Sequence, residues 1–332
     1  MSQSPGSLPP RETADAPPTR AVSLTVDSVT DGGRPGLVRL NGAYDVEPDV
    51  LAKMRASGMP EYQLVIACLE EHYRRRLMEA SSEAERSALY AEGYEDLSRH
   101  YHAYGQIEHG ASDALFRLVR PWFSGKRVLE IGCGNGTMAA ALAPVVARYV
   151  GIDASAVAVD YARGRLAGVE HVELRCGSLP AALRDCDGTY DVVYSNDFLE
   201  HLHIDDLNET LRQCRRLIPT GRGTLVLVMP NRLFGPFDLS RAYVPRGRPA
   251  RCFHLSETTY GEMIRLLAAH GFTQTRSPLG PLAAYLVSRR LPFVGSALLA
   301  PAWIKSLAEH TGPLRNLLRR PVGLSGVILS AR

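Results

Sequence analysis

No two of the six cysteines stand at CxxC spacing, and Cys68, Cys133, Cys176, Cys186, Cys214 and Cys252 fall mostly in apolar or helical stretches. That argues against a disulfide framework and a zinc ribbon, and a reducing cytosol is the expected compartment. No uninterrupted apolar run is long enough to span a bilayer, so no transmembrane segment is expected. The opening "MSQSPGSLPPRETADAPPTR" lacks the basic-then-apolar layout of a signal peptide, and a cytoplasmic location is expected. Excess charge of one sign is also missing: the net charge of +3 is too mild to call for nucleic acid as an obligatory partner. What is present is length and apolarity. With 332 residues at 45% hydrophobic composition, the chain can bury one sizeable core and a smaller attached region.

Three parts are expected along the chain. Residues 1–20, rich in Pro, Ser and charge, have too little to bury and should be disordered. Residues 21–110 form a mainly helical region: "AVSLTV" and "GLVRLNG" suggest a hairpin around "DSVTDGGRP", and two long helical patterns follow from about Glu47. Residues 111–332 alternate strand-like and helix-like segments, which implies an α/β domain with a mostly parallel sheet covered on both faces. The expected strands are "RVLEI", "YVGID", "VELRC", "DVVYSN" and "TLVLVMP", with "FTQTRS" and "GVILSA" as a closing antiparallel pair. Residues 278–321 read as an insertion covering the sheet edge or the active site.

A glycine-rich turn between the first of these strands and a helix, "VLEIGCGNGTMAAALA", marks a nucleotide site. It lacks the GK[ST] ending of a Walker loop, and its glycines, Gly132, Gly134 and Gly136, are spaced GxGxG where the dinucleotide fingerprint is GxGxxG. Charge discriminates further. A carboxylate at Glu130, under the turn, would repel a pyrophosphate on the helix N-terminus but suits a ligand carrying ammonium and sulfonium groups. Asp153, ending the next strand, could accept both ribose hydroxyls, or could instead cap the following helix.

The segments "VLEIGCGNG", "VGIDAS", "CGSLP", "YDVVYSNDFLEHL", "LRQCRRLIPTGRGTLVLVMPN" and "FHLSETTYGEMIRLLAAHGF" resemble, in this order, the class I S-adenosylmethionine-dependent methyltransferases over residues 111–277. The resemblance implies a seven-stranded Rossmann-like sheet. It places the methionine part of S-adenosylmethionine over Gly132–Gly136, with Cys133, Asn135, Ala154 and Asn196 close by, and the ribose on Asp153. Where many members carry an acidic residue for the adenine amine, this chain has Gly177-Ser178, and Ser178 or a backbone group is the candidate substitute. The segment before the first strand commonly closes over the cofactor, which makes Tyr101 and Tyr104 further candidates.

Methyl transfer is an in-line displacement, so the protein mostly aligns reactants and helps a hydroxyl nucleophile lose its proton. The base is expected just past the fourth strand, in "NDFLEHLHIDD". A helix beginning at Asp197 would put Asp197, Glu200 and His201 on one face. His201 could then be the base, oriented by Glu200 or Asp197. Alternatively the three could hold a divalent metal such as Mg, as in the quinone-biosynthesis O-methyltransferases that this stretch resembles. Packing of His201 against the strand and cofactor is the structural alternative. His254, ahead of an expected helix cap at Ser256, is the second base candidate. The basic loop "NRLFGPFDLSRAYVPRGRPARCF" reads as a substrate lid or as solvated arginines. "RRLPFVGSALLAPAWIKSLAEH" and "LRNLLRR" could pack in the core, form a homodimer contact or lie on a membrane surface. The expected function is methylation of a small-molecule acceptor, more specifically O-methylation of a secondary metabolite or modified sugar. A methyltransferase-fold enzyme of cyclisation or other non-methylating chemistry, and a non-catalytic cofactor-binding module, are the alternatives.

Overall fold

The computed structural model describes residues 25, 36–103, 120–278, 299–314, 316 and 326–332; the tail 1–20, Tyr104 and residues 279–298 and 317–321 of the expected insertion lie outside them. Strands β1 (Val38–Leu40) and β2 (Tyr44–Val46) pair antiparallel across a tight turn. The described partner of "GLVRLNG" is therefore the segment after it, "YDV", while Thr25 of "AVSLTV" exchanges hydrogen bonds with Asn41. Helices α1 (Pro48–Ala56), α2 (Glu61–Glu79) and α3 (Glu83–Ala103) follow. The proline at the start of α1 fits a first turn whose amide would have no partner in any case. A glycine inside α3 is explained by crowding: a β-carbon on Gly93 would stand 2.9 Å from both Phe253 and Tyr73, so only glycine admits this approach of α3 to its neighbours.

The sheet strands are β3 (Arg127–Ile131), β4 (Arg148–Asp153), β5 (Val172–Cys176), β6 (Val192–Asn196), β7 (Thr224–Pro230), β8 (Thr275–Pro278), β9 (Leu299–Pro301) and β10 (Gly326–Ala331). They lie in the order β5-β4-β3-β6-β7-β10-β8-β9. The first five are parallel, and β10 runs antiparallel between β7 and β8. The fold is thus α/β and Rossmann-like as expected, with one strand more than seven. The extra strand, β9, comes from the 278–321 segment and extends the edge by pairing with β8.

Alternation along the strands separates two cores. Leu129, Ile131, Val150, Ile152, Leu225 and Leu227 pack with α2, α3 and the C-terminal helices. Val128, Tyr149, Val192, Tyr194 and Val226 pack with Met138 and Leu142 of helix α4 (Thr137–Leu142). Each such fully buried aliphatic contributes about 1.5–3 kcal/mol over an exposed one. At the edge, β5 is only half-buried, unlike the fully covered strand expected there.

The connections are helices α5 (Ala156–Arg165), α6 (Ala181–Arg184), α7 (Ile204–Leu217), α8 (Tyr260–Ala269) and α9 (Trp303–Glu309). One arrangement matters most for function. Helix α3 crosses the carboxyl ends of the parallel strands, where ligands bind in such sheets. It is tied to α7 by the Arg86–Asp206 ion pair at 2.7 Å and by Tyr90, whose hydroxyl donates to Asp206 and accepts from the His203 amide. It is tied to the start of α5 through Ser98 and Glu95 against Ser155.

Candidate active site

The turn after β3 is held by three left-handed glycines, Gly132, Gly134 and Gly136 (φ 75°, 50° and 75°). Two of them are crowded: a β-carbon on Gly132 would lie 2.3 Å from the Phe198 ring, and one on Gly136 2.8 Å from Ala162. At Gly134 it would meet nothing within 4 Å, so this backbone faces open space that a ligand can approach. Asn135 steadies the exit, its side-chain oxygen accepting from the amide and hydroxyl of Thr137. Asp153 accepts from the amides of Gly134 (2.8 Å) and Ser155 (2.9 Å), locking the end of β4 to the turn. The cap of α5 is Ser155, not Asp153. Burial nonetheless pushes the Asp153 carboxyl above the usual range, against the pull of those amides.

Beneath the turn, Glu130 is buried, and its Oε2 has no hydrogen-bond partner among the described residues. Burial, with Asp153 nearby, drives its pKa well up. A buried carboxyl in this state is stabilised by any cation brought close. Cys133 is buried beside Gly151, and Ala154 continues from Asp153 with its carbonyl facing Cys176. Ser178 donates to the Ser87 carbonyl of α3, so its hydroxyl proton is engaged within the protein.

Past β6 the chain does not enter an α-helix at Asp197. Asp197 itself is left-handed (φ 47°) and exposed, Leu199–His201 form one 3-10 turn, and α7 begins only at Ile204. The geometry that would set Asp197, Glu200 and His201 on one helical face is therefore absent. The strand is followed instead by a sharp reversal that turns Asp197 outward and Glu200 inward.

What Glu200 and His201 meet is His254. Ligand-capable atoms of Glu200, His201 and His254 all lie within 4.8 Å of one another, and Asp197 is not in that group. The rings of His201 and His254 meet edge to face with centroids 4.7 Å apart. The two segments are laced together by the Ser256 amide on the Glu200 carbonyl (2.8 Å) and the Ser256 hydroxyl on the Leu202 carbonyl (2.7 Å). Ser256 serves here, and the helix cap is Thr259, in a capping box with Glu262.

Charge divides the two histidines. His254 Nδ1 is 2.6 Å from Glu257 Oε1. Burial opposes its ionisation, but Glu257, Glu200 and Asp238 prevail and raise its pKa to about 9. His201 shifts well the other way, through lost hydration and the neighbouring His254 charge, and its buried Nδ1 has no partner among the described residues. Both carboxylate oxygens of Glu200 and Oε2 of Glu70, from α2, are likewise buried without partners. Burial pushes both of these carboxyls up to about 8.

Tyr94 of α3 lies between the two halves of the site. Its buried hydroxyl has no partner among the described residues, its ring stacks on Phe253 at 5.1 Å and meets His201 at 6.0 Å, and its ionisation is suppressed by burial and by Tyr90, Asp153, Glu200 and Glu70. Tyr101, about two turns beyond, has its ionisation suppressed by burial and then by Glu70, Cys252 and Tyr62, on the His254 side. Asn196 donates to Asp197 and keeps a buried, unpartnered Oδ1.

Sequence reading missed Glu70, Tyr94 and Glu257 as members of the site. Signals existed: Glu70 occupies an apolar position in the α2 stripe Ile66, Glu70, Tyr73, Leu77, and Glu257 follows His254 at i+3. The loop after β7 is folded down and not solvated throughout. Arg232 pairs with Glu262, Arg251 reaches Glu47 (3.2 Å) and Glu71 (3.4 Å), and Asp238 accepts from the Cys252 amide.

A parallel sheet with a glycine turn, an acidic residue ending the next strand and a polar cluster past the fourth parallel strand defines a Rossmann-like α/β domain. Residues 128–221 match the family described as "Methyltransferase domain". A probable S-adenosylmethionine-dependent methyltransferase of Mycobacterium tuberculosis is 31% identical over 159 residues, 48% of this chain and 53% of that protein. One from Mycolicibacterium smegmatis is 33% identical over 161 residues, 48% and 57%. A ubiquinone biosynthesis O-methyltransferase of Bordetella avium is 35% identical over 99 residues, 29% and 40%. The matches span about half the length of the first two relatives. Through this segment the chain carries a methyltransferase domain and resembles S-adenosylmethionine-dependent methyltransferases over about half its length.

Proposed function

We propose that the chain transfers the methyl group of S-adenosylmethionine to an oxygen of a small, donor-rich acceptor, such as a hydroxylated secondary metabolite or a modified sugar. The cradle fits this cofactor: Gly132, Cys133, Gly134, Asn135 and Gly136 offer backbone with open space at Gly134, Glu130 offers an orphaned buried carboxyl, and Asp153 and Ala154 border the ribose position. When bound, the cofactor supplies an activated methyl group on a good leaving group. Asn196, Ser178, Tyr101 and Tyr104 remain candidates at its edge, and Tyr94 joins them. The helical region 21–110 serves as cover over a catalytic domain at 111–332, with 278–321 as its insertion.

The observation that carries the reading is the group of buried Glu200 with half-buried His201 and His254, within 4.8 Å of one another. His201, neutral and with Nδ1 free of partners among the described residues, takes the proton of the acceptor hydroxyl. Glu200, whose buried carboxyl stays protonated below about 8, lies within 4.8 Å of both imidazoles as a neutral hydrogen-bonding group. His254, already charged through Glu257, donates to an acceptor oxygen and cannot itself accept a proton in this state. Buried atoms without partners among the described residues, on Glu70, Glu200, Asn196 and Glu257, favour an acceptor molecule with several hydroxyl or amine groups, which both donate and accept, as the protonated carboxyls of Glu70 and Glu200 also do. A second reading seats a divalent cation such as Mg on Glu200, His201 and His254, favoured by their mutual 4.8 Å spacing. Labelled S-adenosylmethionine and fractionated metabolite extracts test the proposal. Label in a product with wild type and not with His201→Ala supports it, and a product of unchanged mass points to non-methylating chemistry. Turnover that survives EDTA removes the metal reading.

A further inference from the structure

A cleft of about 320 Å³ opens between the β1–β2 hairpin and helices α2 and α3, large enough for a small metabolite. His72, Arg75 and Arg76 line it from α2, Asp45 from β2, and Glu92 and Asp96 from α3. At about 100° per residue the three α2 residues lie roughly 140–240° from Glu70, so the cleft opens on the face of α2 away from the candidate active site. Its polar groups are unequally satisfied. The carboxylates are held: Asp45 accepts two hydrogen bonds from Arg39 (3.0 and 3.1 Å). The Tyr73 hydroxyl lies 2.8 Å from Asp96 and 3.0 Å from Glu92, which Arg76 also approaches at 3.3 Å.

The donors fare worse. His72 Nδ1 accepts from the Asp45 amide at 2.9 Å, so the ring carries its hydrogen on Nε2. Burial, and then the Arg76 charge, keep that ring neutral by lowering its pKa to about 4. Nε2 lies 3.4 Å from Nη1 of Arg76, which is also a donor. Two donors thus face one another with no acceptor between them among the described residues. The buried Nε of Arg75 has no hydrogen-bond partner among the described residues either, and its Nη1 meets Glu79 at 3.3 Å. These are not solvated surface groups: His72 is 7% exposed and the Arg75 side chain 11%. Buried N–H groups without acceptors are costly, and a single oxyanion offers several acceptor positions at once. We propose that this cleft is a second ligand site, which takes a small metabolite bearing a carboxylate or phosphate group on Arg75, Arg76 and His72.

The test is calorimetric titration of the full chain with sodium citrate and, separately, with inorganic phosphate, at constant ionic strength in a buffer free of both. Wild type should bind at least one probe saturably. Citrate alone would assign the ligand a carboxylate, and phosphate alone a phosphate ester. Arg75→Gln should weaken that binding about tenfold with an unchanged melting temperature in sodium chloride. Arg76→Gln, at a more exposed side chain, gives the same reading should the first variant melt earlier. Arg212→Gln, on α7 and 65% exposed, should bind as wild type does. Absence of saturable binding, wild-type affinity in both α2 variants, or an equal loss in Arg212→Gln, which would mark unspecific attraction of anions, would each overturn the proposal.

Discussion

The turn after β3 and the cluster after β6 share one edge of one sheet, yet they are built on opposite rules. The turn is contiguous and mostly satisfied: its glycines carry the conformation, Asp153 is bound by two amides, and the orphaned atom is on Glu130. The cluster is gathered from α2, α3, the Leu199–His201 turn and the loop before α8, and it concentrates buried polar atoms that no described residue satisfies. One region is a receptor for a ligand whose shape does not vary. The other is left with unmet hydrogen-bonding capacity, as a site must be when the partner that completes it comes from outside.

The sharpest way to separate the two halves is to damage each alone. His201→Ala should lower kcat by about 100- to 10,000-fold, the usual worth of a positioned base, while calorimetric binding of S-adenosylmethionine stays within a few-fold of wild type. Equal loss of binding would show that His201 belongs to the cofactor half. Asp153→Ala should do the converse, weakening cofactor binding by roughly 10- to 100-fold through the lost charged acceptor. Retained affinity there would remove the aspartate from the ribose site.

Within the turn, the two glycine variants discriminate packing from access. Gly132→Ala drives a methyl into the Phe198 ring as well as straining a left-handed backbone, and should cost about 1–3 kcal/mol of stability, read by denaturant melts. Gly134→Ala meets no neighbour, so its stability cost should be confined to about 1–2 kcal/mol of backbone strain, while cofactor affinity falls further than that. Similar effects of both on affinity and stability would mean that Gly134 does not face the ligand.

The same comparison explains what was legible in the sequence. Five parallel strands, the antiparallel pair at the end and the glycine turn with Glu130 and Asp153 could be read because each depends on neighbours in the chain: apolar runs, glycines where φ must be positive, a carboxylate at a strand end. His201 and His254 were recognised singly, but their meeting depends on tertiary packing through Ser256 that no local pattern encodes. The expected helix at Asp197 failed because a residue in the left-handed region interrupts the chain there, and only a three-dimensional reversal lets Glu200 point inward. Glu70 was hidden for a related reason. A single acid on an apolar stripe reads as an exposed residue until the loop carrying Cys252 and Phe253 closes over it.

The pH dependence of stability measures the unmet capacity directly. Glu70 has a folded pKa raised from 4.5 to about 8 by burial, with Asp238 adding to the rise. Between those values the folded state binds the proton and the unfolded state does not, so this group's stabilisation is present at low pH and is lost as pH rises through about 8. Wild type should therefore lose on the order of 1–3 kcal/mol between pH 5 and pH 8 relative to Glu70→Gln, whose amide does not titrate. Melts of both proteins across that range read the difference. Parallel curves would mean that Glu70 is already met by a partner inside the protein, and the acceptor half would then be less open than its buried carboxylates indicate.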